Sequence, residues 1–476
     1  MTDPVVDLDQ LPEVVRVVSE EARGYLEGLT AAPLRSANAD QIAESFAEPI
    51  PEDGKGSGEA LQTLLTEGVA AHVRSGGPRF FHFVIGGVTP AAFGADWITT
   101  LLDQNPGLWV ASPLGAQLET IGLEWLKDLF DLPPQWGGTL TTGGTMANYV
   151  SLAAARRWWG LEHGKDIDEE GFSSLPSVPV FSSGYIHASA VKVLGMLGIG
   201  RSRVRSFSSD ATGRLDLDAL EAALKELKGA ASIIVANAGE VNAGDFDPIE
   251  RMVDLAEKYG AWIHVDGAFG LFARITPRTK QLTAGVERAQ SVSADGHKWL
   301  NVPYDCGFAF VHDRDLLRGL FASTASYLTG LDDPRPNLGF ISPEASQRAR
   351  GLTVWATLRA YGRNGYREMV ERHLDLAQRV ADRVDEAPDL ERMADVPLNI
   401  VCFRFHPEGL DEDELDAVNR RISEEILTDG RVYVGRTLYA GRVAFRPAIV
   451  NWRTTEQDVD LLVDVVREIG NRLIQT

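Results

Sequence analysis

Short apolar runs recur through the middle of the chain, each closed off by turn-forming residues. They are Gly138-Thr139-Leu140-Thr141, Val178-Pro179-Val180-Phe181, Ser232-Ile233-Ile234-Val235, Ala261-Trp262-Ile263-His264-Val265 and Gly307-Phe308-Ala309-Phe310-Val311. Runs of this length and composition predict strands. Between them, apolar positions fall three and four apart, as from Leu217 to Leu227 and from Pro248 to Tyr259, which predicts helices. Strands without polar alternation, separated by helices, predict an α/β domain over residues 86–352, with a mostly parallel sheet covered on both faces.

The flanks read differently. Residues 1–85 are helical in pattern, broken by the polar loop from Pro51 to Gly58. Such an arm has too little alternation to close a core of its own and is predicted to pack on a second copy of the chain. From Thr353 to Val384 the pattern fits one long helix or two abutting ones. A strand (Asn399 to Phe405), a helix (Asp411 to Leu427), two strands (Val432 to Thr437, Arg442 to Ala448) and a terminal helix (Glu456 to Ile474) follow. Residues 353–476 therefore read as a small α+β domain.

Composition narrows the function. Of 476 residues, 44% are hydrophobic and 24% charged, enough to bury a large core. The net charge of −22 argues against nucleic acid and anionic membranes as partners. It also means that an anionic cofactor needs local positive dipoles to bind. Cys306 and Cys402 sit in apolar runs and read as buried free thiols, with neither a disulfide framework nor a cysteine metal site available. The start has no leader pattern, and no run approaches 18 apolar residues, so the expected location is the cytoplasm.

Four segments carry candidate chemistry. In Thr141-Thr142-Gly143-Gly144-Thr145, a strand runs through two glycines into a helical pattern. Backbone can approach an anion there, at a helix N-terminus whose N–H groups are free. The same segment could equally be a turn without a ligand. Ser183-Gly184-Tyr185-Ile186-His187 places an imidazole at a helix start, either to lie on an aromatic ring or merely to cap. Asp266 closes the strand from Ala261, at the sheet edge where ligands of open α/β folds bind. A carboxylate there can pair with a pyridinium nitrogen; it could also cap a helix, or share a metal with His264. Lys298, in Asp295-Gly296-His297-Lys298-Trp299, is a candidate Schiff-base amine or simply a surface lysine beside a core tryptophan.

The ordered set of phosphate cradle, histidine, strand-end aspartate and lysine resembles the group II decarboxylases that use pyridoxal 5'-phosphate (PLP). These belong to fold type I and include aromatic-L-amino-acid and glutamate decarboxylases. The segment Ser112-Pro113-Leu114-Gly115-Ala116-Gln117-Leu118-Glu119 resembles the family as well. The resemblance implies that Lys298 holds PLP as a Schiff base with His297 beside it near the phosphate. Asp266 would pair with the ring nitrogen, Ala268 would pack on the ring and His187 would stack on its other face. Gly144 and Thr145 would hold the phosphate. Ala325-Ser326-Tyr327-Leu328-Thr329 resembles the family's catalytic loop, which makes Tyr327 the proton donor after CO2 leaves. A homodimer with its site at the interface is implied too.

One departure bears on substrate. The family's hydroxyl pair is replaced here by Glu240 and Val241. Phe80 to Gly87 and Pro106 to Trp109 are the expected substrate-facing segments. Being apolar, they favour an L-amino acid with an aromatic or large apolar side chain. Arg446 is the residue best able to reverse that preference. The expected reaction is decarboxylation to the amine; the alternative is an aldehyde-forming oxidative decarboxylase or another PLP lyase.

Overall fold

A computed structural model describes residues 3–323, 325–326 and 330–475. Its main sheet has seven strands: β1 (Gly137–Thr141), β2 (Val180–Ser182), β3 (Val204–Ser206), β4 (Ser232–Asn237), β5 (Ala261–Asp266), β6 (Ser291–Asp295) and β7 (Gly307–Val311). They lie in the order β1-β7-β6-β5-β4-β2-β3. β3, β2, β4, β5 and β6 run parallel, whereas β7 is antiparallel to both neighbours. The expected α/β architecture of fold type I is therefore present, with β7 as the reversed strand.

Alternation along the strands divides the core in two. In β4, Ile233 and Val235 join the apolar cluster under the helices Gly144–Glu162 and Ala188–Met196. Ile234 and Ala236 join the opposite cluster, against the helix Ile249–Tyr259. Every residue of β4, β5, β6 and β7 is buried, which explains why these strands read as apolar runs rather than alternating ones.

A second sheet has the order β10-β11-β9-β8, from β8 (Leu390–Arg392), β9 (Phe403–Phe405), β10 (Arg436–Tyr439) and β11 (Arg442–Phe445). Its strands are shorter than the sequence pattern predicts. Tyr433 leaves the hairpin because the segment before residue 82 takes its backbone: Phe81 N donates to Tyr433 O and Tyr433 N to Arg79 O. Similarly, Ile400 meets Ala448 only in an isolated bridge. The helix Arg350–Glu386 is interrupted at Gly362, where φ is 60°. The edge strand β3, Val-Arg-Ser, carries too little apolar signal to be predicted.

The N-terminal helix Leu11–Gly28 buries no residue within the chain, and Leu8, Leu11 and Val15 are exposed. Among the described residues, no helix is long and apolar enough to cross a membrane.

Ile234 is fully buried at the centre of the main sheet. Ile234→Ala is expected to cost about 2–5 kcal/mol through lost burial and a cavity. Equilibrium denaturation checks this, and an unshifted midpoint would show that the sheet centre does not limit stability.

Candidate active site

The C-terminal ends of the parallel strands converge on a cavity of about 350 Å³, within the range of small-molecule sites. Gly144, Thr145, His187, Asp266, Ala268, His297 and Lys298 all line it. Residues separated by more than 150 positions are thus brought to one place.

Chain geometry makes the cradle. Gly143 has φ 147° and leads into the helix Gly144–Glu162 with no side-chain cap on its first amides. A Cβ at Gly144 would stand 2.6 Å from Asp295 Oδ2. Only glycine lets the helix start so close to β6. Uncapped amides at the positive end of a helix dipole suit a phosphate, and this part of the cavity fits the cofactor's anionic end.

Lys298 lies in a π-turn, Gly296–Leu300, directly after β6. Its backbone is held on two sides. Gly86 approaches so closely that a Cβ there would fall 2.0 Å from Lys298 O. Asn301, in the left-handed region at φ 57°, closes the turn. The Lys298 ammonium pairs with Asp295 Oδ2 at 3.0 Å and lies 5.8 Å from the Phe269 ring centroid. Asp295 Oδ1 is buried without a hydrogen-bond partner among the described residues. His297 Nδ1 lies 3.0 Å from Cys306 O, to which it donates, and its ring stacks on Tyr304 at 4.3 Å. Burial is the main cause that lowers the His297 pKa, and it pushes the Tyr304 phenol up to about 12.

Asp266 ends β5 with its carboxylate buried. Oδ2 accepts from Asn148 Nδ2 at 2.8 Å, and Oδ1 accepts from Ala268 N at 3.2 Å. Neither donor carries a full charge, so the carboxylate remains able to pair with a cation in the cavity. His264, two residues earlier on the same face, has both ring nitrogens engaged, by Ser291 Oγ and by Asn148 Oδ1. That leaves neither for a metal ion. His187 caps the helix Ala188–Met196, its Nδ1 2.7 Å from Ser189 Oγ. Tyr327 lies outside the described residues.

Several expectations about the surroundings change. Phe80 to Gly87 and Pro106 to Trp109 do not line the protomer's cavity. Gly107 is instead tied to Gly339, and Trp109 N donates to Asn337 Oδ1. Arg79 is paired with Asp458, and Arg446 Nη1 donates to Phe83 O. Arg348 pairs with Asp96 and Arg350 with Asp305, which makes both structural ties. Glu240 does line the cavity, but its two oxygens accept from Asn242 N and Ala243 N of its own turn. The motif reading passed over Asn148, Phe269 and Tyr304. Asn148 had a signal, lying one helical turn after Gly144 and so on the same face.

A carboxylate, a lysine and an uncapped helix N-terminus around one cavity, on this sheet, define a PLP enzyme of the fold type I class. The chain belongs to the family described as the pyridoxal-dependent decarboxylase conserved domain, which matches residues 47–406. It is a PLP-dependent carboxy-lyase of amino acids. It is 27% identical to an aromatic-L-amino-acid decarboxylase of Bacillus atrophaeus, over 91% of this chain and 90% of the relative. It is also 27% identical to an acidic amino acid decarboxylase of Mus musculus, over 90% of this chain and 81% of the relative. The fold matches the crystal structure of Oryza sativa TDC with PLP and tryptamine at a TM-score of 0.89, with 23% identity and 98% of each chain covered. Relatives so named differ in substrate, so family membership defines the reaction class and not the amino acid.

Because of the contact at Lys298 O, Gly86→Ala is expected to displace the lysine turn. The variant should bind PLP at least about tenfold more weakly, the equivalent of about 1.4 kcal/mol. Cofactor titration followed by absorbance measures it, and parent-like affinity would show that Gly86 does not fix the turn.

Proposed function

We propose that the chain decarboxylates an L-amino acid with an aromatic or large apolar side chain, releasing the amine and CO2. The observation that carries this reading is the pairing of cations around the cavity. A second carboxylate on the substrate would meet no free cation among the described lining residues, since Lys298 holds the cofactor. Arg79 is paired with Asp458, and Arg446, which donates from Nη1 to Phe83 O, is not among the lining residues. Burying an unpaired acid costs several kcal/mol, about 2 or more. Val241, Phe269 and Tyr304 remain to receive an apolar group.

In this reading Lys298 holds the cofactor through Nζ, Gly144 and Thr145 hold its phosphate beside His297, and Asp266 holds its ring nitrogen. His187 and Ala268 bracket the ring. Bound PLP supplies the electron sink for the pair left when CO2 departs. Tyr327 then delivers a proton to the carbon that lost CO2, acting as a general acid.

Residues 1–85 form a dimerisation arm in this reading, residues 86–352 the cofactor domain and residues 353–476 the small domain. The unburied helix Leu11–Gly28 supports a homodimer, as do the exposed apolar residues Trp97, Ile98, Leu101, Val110 and Leu114. Two buried free thiols suit a reducing compartment, and we place the protein in the cytoplasm.

Competition among phenylalanine, tryptophan, leucine and glutamate, with amine as the readout, tests the substrate; preferred turnover of glutamate would overturn it. Lys298→Ala should lose the absorbance band of covalently bound cofactor and all turnover. A borohydride-reduced digest carrying the label on another lysine would reassign that role. Tyr327→Phe should divert product from amine to aldehyde, ammonia and peroxide through O2. Clean amine formation at the parent rate would remove Tyr327 from the chemistry. A fully active monomer in sedimentation would rule out the dimer.

A further inference from the structure

Beneath the cavity, one face of the sheet is polar where a covered sheet is ordinarily apolar. The parallel register of β5 and β6 sets His264 beside Ser291 and Asp266 beside Ser293. Asn148, 1% exposed, projects onto this stripe from the helix above. Buried polar groups on this scale persist only when every one is satisfied.

The hydrogen bonds run from Trp262 to Asp266 through Ser291, His264 and Asn148. The Trp262 indole N–H can only donate, and it donates to Ser291 Oγ at 3.1 Å. Ser291 Oγ also lies 3.0 Å from His264 Nδ1. On the other side of the ring, His264 Nε2 lies 2.9 Å from Asn148 Oδ1, to which it donates. Ser293 Oγ donates to the same oxygen at 2.6 Å. With its oxygen taken twice, the carboxamide must turn its NH2 outward. One hydrogen goes to Asp266 Oδ2 at 2.8 Å and the other to Ser189 Oγ at 3.3 Å. Ser189 in turn contacts His187 Nδ1. A flipped amide would set its oxygen against the Asp266 carboxylate and leave two donors facing an NH2 group.

We propose that Asn148 is a positioning residue: held through its oxygen by His264 and Ser293, its amide NH2 fixes the Asp266 carboxylate in the orientation that meets the cofactor's ring nitrogen. The inference rests on the assignment of Asp266 to that nitrogen. The Asn148 amide holds Oδ2 and Ala268 N holds Oδ1, so without Asn148 the carboxylate keeps only the contact to its own turn. The hydrogen-bonded chain stays uncharged because burial holds the His264 pKa down, to about 4. It therefore orients Asp266 without offering a competing cation. The ionisable groups sharing the cavity are Lys298, Asp295, Glu240, Tyr185, Tyr304, His187 and His297.

The test loads holoenzyme with ring-15N-labelled PLP and follows the ring nitrogen by NMR against pH, with no substrate present. Asn148→Leu should lower the ring-nitrogen pKa by about one unit, a tenfold change in its protonation. Asp266→Asn should lower it further. A parent-like titration in Asn148→Leu, with Asp266→Asn lowered, would overturn the role of Asn148 and leave Asp266 in place. A parent-like titration in Asp266→Asn would instead sink the assignment beneath it. If Asn148→Leu fails to fold or to hold PLP, Ser291→Ala decides, since it opens the chain two hydrogen bonds from the carboxylate. A smaller shift in the same direction supports the proposal, and an unshifted titration overturns it.

Discussion

The Asn301 carboxamide joins the parts of the chain that make the cavity. It is fully buried, and four of its hydrogen bonds go to backbone. Oδ1 accepts from Gly87 N and Trp452 N; Nδ2 donates to Trp299 O and Val450 O. Segments from the entry to the main domain, from the lysine turn and from the C-terminal domain therefore meet on one side chain. His373 adds a parallel tie, accepting from Trp299 Nε1 and donating to Asn451 O. Lys298 owes its position to these contacts more than to the local preference of its own residues. A π-turn is rarely stable without outside support.

Charge is the second constraint. A chain of net charge −22 must hold an anionic cofactor, yet Asp266, Asp295 and Glu240 all line the cavity. Each carboxylate is managed differently. Glu240 is satisfied by its own turn, and Asp295 is paired with Lys298. Asp266 keeps only neutral donors. In the proposed reading, attraction for phosphate falls to the helix N-terminus, whose dipole does not depend on net charge. Behind the cavity, Asp247 accepts from Ser183 and Asn237, with its pKa raised to about 6 mainly by burial.

The sequence by itself determined the α/β class, most strands of the main sheet and the segments that the fold brings around one cavity. Each of these has a local signature. β5 is an apolar run ending in an acid, the cradle is a strand meeting two glycines and the terminal helix Glu456–Ile474 has a clean amphipathic period. Residues whose role depends on distant partners were not legible. Glu240 reads as an acid entering the cofactor site, and only the fold shows its oxygens turned to Asn242 and Ala243. Arg446 reads from the sequence as a residue that could face the substrate, and only the fold shows its Nη1 donating to Phe83 O, outside the cavity lining. Asn148 shares a helix face with Gly144, but that spacing alone does not say which partners it meets. Its meaning comes from a sheet register that places Ser291 and Ser293 beside His264 and Asp266. Local pattern fixes backbone state because propensity and period act over a few residues. Hydrogen-bond partners are fixed by packing between segments hundreds of residues apart, and that information exists only once the chain has closed.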